Sequence, residues 1–90
     1  MITMPPKDPG ETLDYTLDWS QALEGDSILA SIWSVDSGGV AVESSSVAGS
    51  MTTVYLSGGT TNVPAVVKNT VTAATGRVFV SRLKIPVLNQ

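Results

Sequence analysis

The sequence predicts an all-β fold: a small antiparallel β-sandwich of six to seven strands with an extended N-terminal arm. Three observations carry this reading. Apolar and polar residues alternate in successive short runs, the two-residue period of a strand with one buried face. Glycine-containing turns recur roughly every ten residues, the rhythm of an antiparallel sandwich. No 3.6-residue period is sustained, and Ser and Thr supply 21 of the 90 residues, with Thr well suited to strands.

Residues 1–11 carry Pro5, Pro6, Pro9 and Gly10 and little that can pack. Proline fixes φ and removes a donor, so this stretch reads as an arm. It is either frayed, as termini commonly are, or laid across a neighbouring subunit. The sandwich domain occupies 12–90. In residues 12–19, Leu13, Tyr15, Leu17 and Trp19 alternate with Asp14, Thr16 and Asp18, which makes a strand with an apolar inner face. "SQALEGD" follows, with Ser20 placed to cap one helical turn and Gly25 to end it.

The second strand, 26–35, changes phase: Ile28, Ala30 and Ile32 point one way, Trp33 and Val35 the other. A bulge between the two sets resolves the conflict, because one extra residue flips the alternation. "DSGG" turns into a third strand at 40–47, and "AGSM" into a fourth at 51–57 with Val54 and Leu56 on one face. The fifth strand, 63–73, has Val63, Ala65, Val67 and Val71 in phase. A turn around Gly76 leads to the last, 78–88, with Phe79, Leu83, Ile85 and Val87 inward and Val80, Arg82 and Lys84 outward. Pro64 and Pro86 mark edges or ends of pairing.

Ninety residues are one domain, and 42% hydrophobic content with a net charge of −3 fits a globular chain. Histidine and cysteine are absent. That removes disulfides, thiolate nucleophiles, histidine acid–base catalysis and any ordinary zinc site. The first residues lack a basic n-region and an apolar h-region, so no signal peptide is expected. No apolar run approaches the ~18 residues of a spanning helix. We expect synthesis in a cytoplasm and no membrane partner.

Asp14 and Asp18 raise the question of paired-carboxylate chemistry. On a strand they share a face but stand ~13 Å apart at ~3.3 Å per residue, beyond the ~5–9.5 Å of glycosidase pairs. They therefore form a solvated or salt-bridged face. Calcium wants six to eight oxygens from closely spaced acids, which no loop here offers. Ser44, Ser45 and Ser46 have no histidine to activate them, none of the three has a lysine at S-x-x-K spacing, and no G-x-S-x-G pattern is present. The triplet reads as an edge strand or a loop. Trp19, Trp33, Tyr15 and Tyr55 either pack inward or line a sugar-binding face; in-phase aromatics usually pack. The chain is expected to be no enzyme, with no cofactor, no metal and no small-molecule substrate.

Charge is segregated along the chain. All eight acids (Asp8, Glu11, Asp14, Asp18, Glu24, Asp26, Asp36, Glu43) lie in the first half, while Lys68, Arg77, Arg82 and Lys84 lie in the last quarter. Scattered cations on an acidic protein are a poor nucleic-acid footprint, so no nucleic-acid partner is expected. Either acidic and basic segments lie side by side in one fold, or they complement each other between copies of the chain.

The motifs "KDP" at 7–9, "DYTLDWS" at 14–20, "GD" at 25–26, Trp33-x-Val35, "TTVYLSGGT" at 52–60 and "NTVTAATGR" at 69–77 occur in that order. In this series the chain resembles a family of small tailed-bacteriophage virion proteins, the phage fiber-tail adaptor or tail proteins. The resemblance implies an Ig-like sandwich and a structural, non-enzymatic role in the virion, in its tail or neck region. Its partners would be other virion proteins (tail, neck or fibre subunits) and copies of itself. A capsid decoration protein on the same fold and a carbohydrate-binding module are the alternatives. The sequence departs from the family at Ala65, where an aromatic is usual, and at "VFVS" (78–81), where polar and acidic residues are usual. An apolar outer face at Val78 and Val80 suggests a partner contact, unless the arm covers it. The expected partner interface comprises Pro5, Pro6, Lys7, Asp8, Asp14, Asp18, Arg77, Val78, Val80, Arg82 and Lys84. Asp14 and Asp18 are expected to pair with Arg82 or Lys84, in the same copy or the next.

Overall fold

β1 (Ile2–Thr3), β2 (Leu13–Asp18), the helical turn α1 (Ser20–Leu23), β3 (Ile28–Ser37), β4 (Val40–Ala48), β5 (Met51–Gly58), β6 (Ala65–Ala73) and β7 (Val78–Ile85) follow one another along the chain. The computed structural model describes residues 2–89. Two sheets form, one of four strands in the order β1-β7-β6-β3 and one of three in the order β2-β5-β4. Every pairing is antiparallel except β1 with β7. This is the all-β sandwich expected from the alternation.

The core lies between the sheets, where the period-two pattern sends it. Tyr15, Leu17 and Trp19 of the β2 segment face Val67, Val71 and Ala73 of β6 and Leu83 and Ile85 of β7, all buried in one cluster with Val54 and Leu56 of β5. β6 shows the pattern most cleanly, with alternate residues from Ala65 to Ala73 buried. Pro86 ends β7 and Pro64 precedes β6, since neither can donate to a ladder. Val63, expected inward, lies outside β6 and is exposed.

The phase change in β3 sits elsewhere than expected. Register shifts occur between Ile28 and Ala30 and between Val35 and Ser37, not between Ile32 and Trp33. Ile28 and Trp33 therefore both turn to the core, while Ile32 is left outward and exposed. Burying the indole decides the register, because it is the largest apolar group on the strand.

The arm docks on its own chain. Ile2 and Thr3 pair in parallel with Leu83 and Lys84, and Lys7 bridges to Val87. The Met4 N–H donates to the Lys84 carbonyl at 2.8 Å and the Lys7 N–H to the Pro86 carbonyl at 2.8 Å. The arm runs along the edge of β7 and covers neither Val78 nor Val80.

Ser20 is not the cap of α1. Trp19 holds that position, and the Asp18 carboxylate accepts from the Ser20 N–H at 2.9 Å. The turn ends at Glu24, whose left-handed backbone (φ 51°) precedes Gly25. At the β3–β4 turn, Gly38 is required: a Cβ there would lie 2.3 Å from the Ala65 Cα.

Candidate functional site

The residues expected to meet partners fall into three groups. The first works inside the chain. Lys7 is fully buried; its ammonium donates to the carbonyls of Gly58 (2.8 Å) and Asp8 (3.0 Å). Desolvation pushes its pKa below the usual lysine value, with Glu11 and Asp8 opposing. Lys7 thus clamps the arm to the end of β5, and its ammonium is spent on carbonyls of its own chain. Asp8 holds the turn that follows: its carboxylate accepts from Gly10 N–H and its N–H donates to Glu11, both at 2.8 Å. Arg77 donates to the Leu23 carbonyl at 2.7 Å and to Asp26 at 3.3 Å, and its guanidinium lies 5.3 Å over the Phe79 ring.

The second group is the proposed charge pairing, which the topology separates. Asp14 and Asp18 lie on β2 in the three-stranded sheet; Arg82 and Lys84 lie on β7 in the other. Within one copy they do not meet. Arg82 instead pairs with Asp36 at 3.2 Å, a partner the sequence reading missed. The bulge that displaces Asp36 from strict alternation hides that contact from pattern reasoning. Asp18 accepts from the Ser20 N–H at the start of α1, and the Ser20 hydrogen bonds, backbone first and then side chain, lower its pKa.

The third group is exposed. Pro5 and Pro6, with Met4, line an open groove of about 360 Å³ against Leu13, Asp14, Tyr15 and Thr16 of β2. Val78 and Val80 are 60% and 50% exposed on the outer face of the four-stranded sheet.

Most motif residues hold the fold. The Trp19 indole N–H lies within hydrogen-bond reach of the Thr52 hydroxyl (3.0 Å) and the Asn69 carbonyl (3.2 Å). Thr52 donates to the same Asn69 oxygen at 2.8 Å. The Asn69 amide donates to the Ser31 hydroxyl (2.9 Å) and the Ile32 carbonyl (3.1 Å). This buried network ties β3 and β6 of one sheet to β5 of the other and to Trp19 at the β2–α1 junction. Its signal in the sequence was an asparagine at an inward position of an alternating strand. At the same end, Asp26 accepts from Thr75, from the Ser27 N–H and from Arg77. Those bonds, Thr75 foremost, hold its carboxyl below the usual range.

A sugar-stacking platform is not formed from the four aromatics considered for it. Tyr15, Trp19 and Trp33 are buried in the core, leaving Tyr55 exposed. Among the described residues no cluster of three or more acidic, histidine or cysteine side chains could hold a metal. No helix among them is long and apolar enough to cross a membrane. Ser44, Ser45 and Ser46 sit exposed on β4, an edge strand.

Among solved structures, the chain is similar to the PKD domain from the KIAA 1837 protein, with a TM-score of 0.60 and 23% identity over 97% of this chain and 83% of that one. It is also similar to part of the secreted serine protease VesC from Vibrio cholerae, with a TM-score of 0.52 and 16% identity over 94% of this chain but 21% of that one. At these identities the likeness shows the Ig-like sandwich alone. No curated protein matches the sequence. The family described as podophage GP4 fiber-tail adaptor protein gp77 matches residues 7–86, which include every motif set out above. The chain belongs to this fiber-tail adaptor family.

Proposed function

We propose that this chain is a structural protein of a podophage tail, joining tail or neck to fibres through multivalent protein–protein contacts. Its partners are other virion proteins and further copies of itself, and its place is the tail or neck of the virion. It carries out no catalysis. The observation that carries this reading is the family match over residues 7–86. The geometry supports it: the motif residues are largely spent on a braced sandwich, and the outer sheet faces are left open. A braced small domain with free faces suits a connector, whose contacts can each be modest when many act together.

The test is a mass-spectrometric inventory of purified virions, followed by separation of heads from tails. The chain is expected in the particle and in the tail or neck fraction. Absence from virions would overturn the reading. Recovery with the capsid shell would replace the adaptor role by shell decoration.

A further inference from the structure

We infer that copies of this chain stack face to back: the outer face of the three-stranded sheet of one copy seats on the outer face of the four-stranded sheet of the next. The inference rests on the adaptor reading and adds which surfaces meet.

Folding converts the charge segregation of the sequence into a segregation by sheet. Strands β2, β4 and β5 carry Asp14, Asp18 and Glu43 and no lysine or arginine. Strands β3, β6 and β7 carry Lys68, Arg82 and Lys84, with Asp36 as their single acid, already held by Arg82 at 3.2 Å. The charged groups lie on the outer faces. Asp14 and Asp18 alternate with the buried Tyr15 and Leu17, and Glu43 accepts from Ser57 on the side opposite the buried Leu56. Lys68 alternates with Val67 and Asn69, and Arg82 and Lys84 with Leu83.

Each face also carries apolar surface. On the four-stranded sheet the cross-strand row Ile32–Thr70–Val80 runs beside Ala30–Thr72–Val78, with Ile32 64% exposed. On the three-stranded sheet Tyr55 pairs with Asp14 and Met51 with Asp18, and both Tyr55 and Met51 are exposed. An apolar patch flanked by cations thus faces away from one side of the molecule. Exposed apolar groups flanked by carboxylates face away from the other. Like faces repel, so two-fold pairing is disfavoured; unlike faces attract. Because the two faces lie on opposite sides of one sandwich, the contact is heterologous and repeats from copy to copy.

Size decides how strong one contact is. Three strands spaced ~4.8 Å and ~27 Å long offer roughly 400 Å² of face, about half the ~800 Å² per partner of a standard interface. A single pair is therefore weak, and repetition supplies the stability.

Sedimentation velocity of the full chain tests this. Mass is expected to rise with concentration at low salt and fall to the monomer at high salt, since exposed charges are screened over ~10 Å at 0.1 M. The double variant Asp14→Lys/Glu43→Lys presents two basic faces, and Lys68→Glu/Lys84→Glu presents two acidic ones. Each alone is expected to stay monomeric where the natural chain associates; mixed in equal amounts they are expected to co-associate. Val80→Asp, which alters no core residue, is expected to lose association while keeping its thermal melt. A natural chain that stays monomeric at low salt, variants that associate as it does, or a mixture that stays monomeric would each overturn the inference. A monomeric chain found in virion tails would sink stacking alone, whereas absence from virions would sink the adaptor reading and leave self-association measurable.

Discussion

Asn69 uses its whole hydrogen-bonding capacity across the core. Its oxygen accepts from Trp19 and Thr52, and its amide donates to Ser31 and to the Ile32 carbonyl. A fully satisfied buried network ties the two layers together, but a half-satisfied one costs the desolvation of each orphaned group. Asn69→Leu is expected to destabilise by roughly 2–4 kcal/mol, read as a lower urea midpoint. Tyr15 is the opposite case. Its hydroxyl is buried with no hydrogen-bond partner among the described residues, and desolvation raises its pKa, with Glu11 and Asp14 adding. Tyr15→Phe is therefore expected to be neutral or to stabilise by up to about 1 kcal/mol in the same titration. Gly38→Ala adds a Cβ 2.3 Å from the Ala65 Cα at a φ of +100°. Overpacking plus that backbone strain predicts a loss of roughly 2–4 kcal/mol. Asp26 sets an acid limb. Its pKa is held below the ordinary 3.8, so its contribution is complete above that pH and is lost as pH falls through the depressed value. Melts of Asp26→Asn against pH are expected to lack that part of the acid decline.

At the scale of elements, β7 is the seam of the molecule. It pairs with β6 on one side and receives β1 on the other, while Lys7 pins the arm farther along. The prolines made residues 1–11 legible as extended chain. Their docking was not legible, because parallel pairing of two residues leaves no period in the sequence. The burial of Lys7 was hidden for a different reason: a lone lysine beside prolines reads as solvent-facing, and only the carbonyls of Asp8 and Gly58 converging on its ammonium reverse that. Lys7→Ala is expected to cost roughly 2–4 kcal/mol, from a lost buried stem and an unpaired Gly58 carbonyl. It should also free the arm, seen, with β6 unchanged, as faster hydrogen exchange at the Met4 amide and at the amide of position 7 than in the natural chain. Unchanged exchange there would refute the clamp. The β3 bulges show the same limit. That a bulge was needed followed from the broken alternation; where it fell depended on which side chain the facing sheet could bury.

For the whole molecule, alternation and turn spacing were enough to reach a sandwich, because both are local consequences of strand geometry. The absence of histidine and cysteine removed most catalytic and metal chemistry before any fold was known. Linear charge segregation was equally plain. Charge segregation alone leaves two partners open to the acidic strand: the basic strand of its own chain, or that of another copy. Topology closed the first by placing β2 and β7 in different sheets. The sequence by itself therefore determined the strands of the sandwich, their inner faces outside β3, and the family, since these depend on neighbouring residues and motif order. Only the tertiary structure decided that the arm folds back, that Asn69 and Trp19 lock the layers, and that opposite charges end on opposite faces. Those features depend on residues tens of positions apart being brought together, and no local period records which strands will be neighbours.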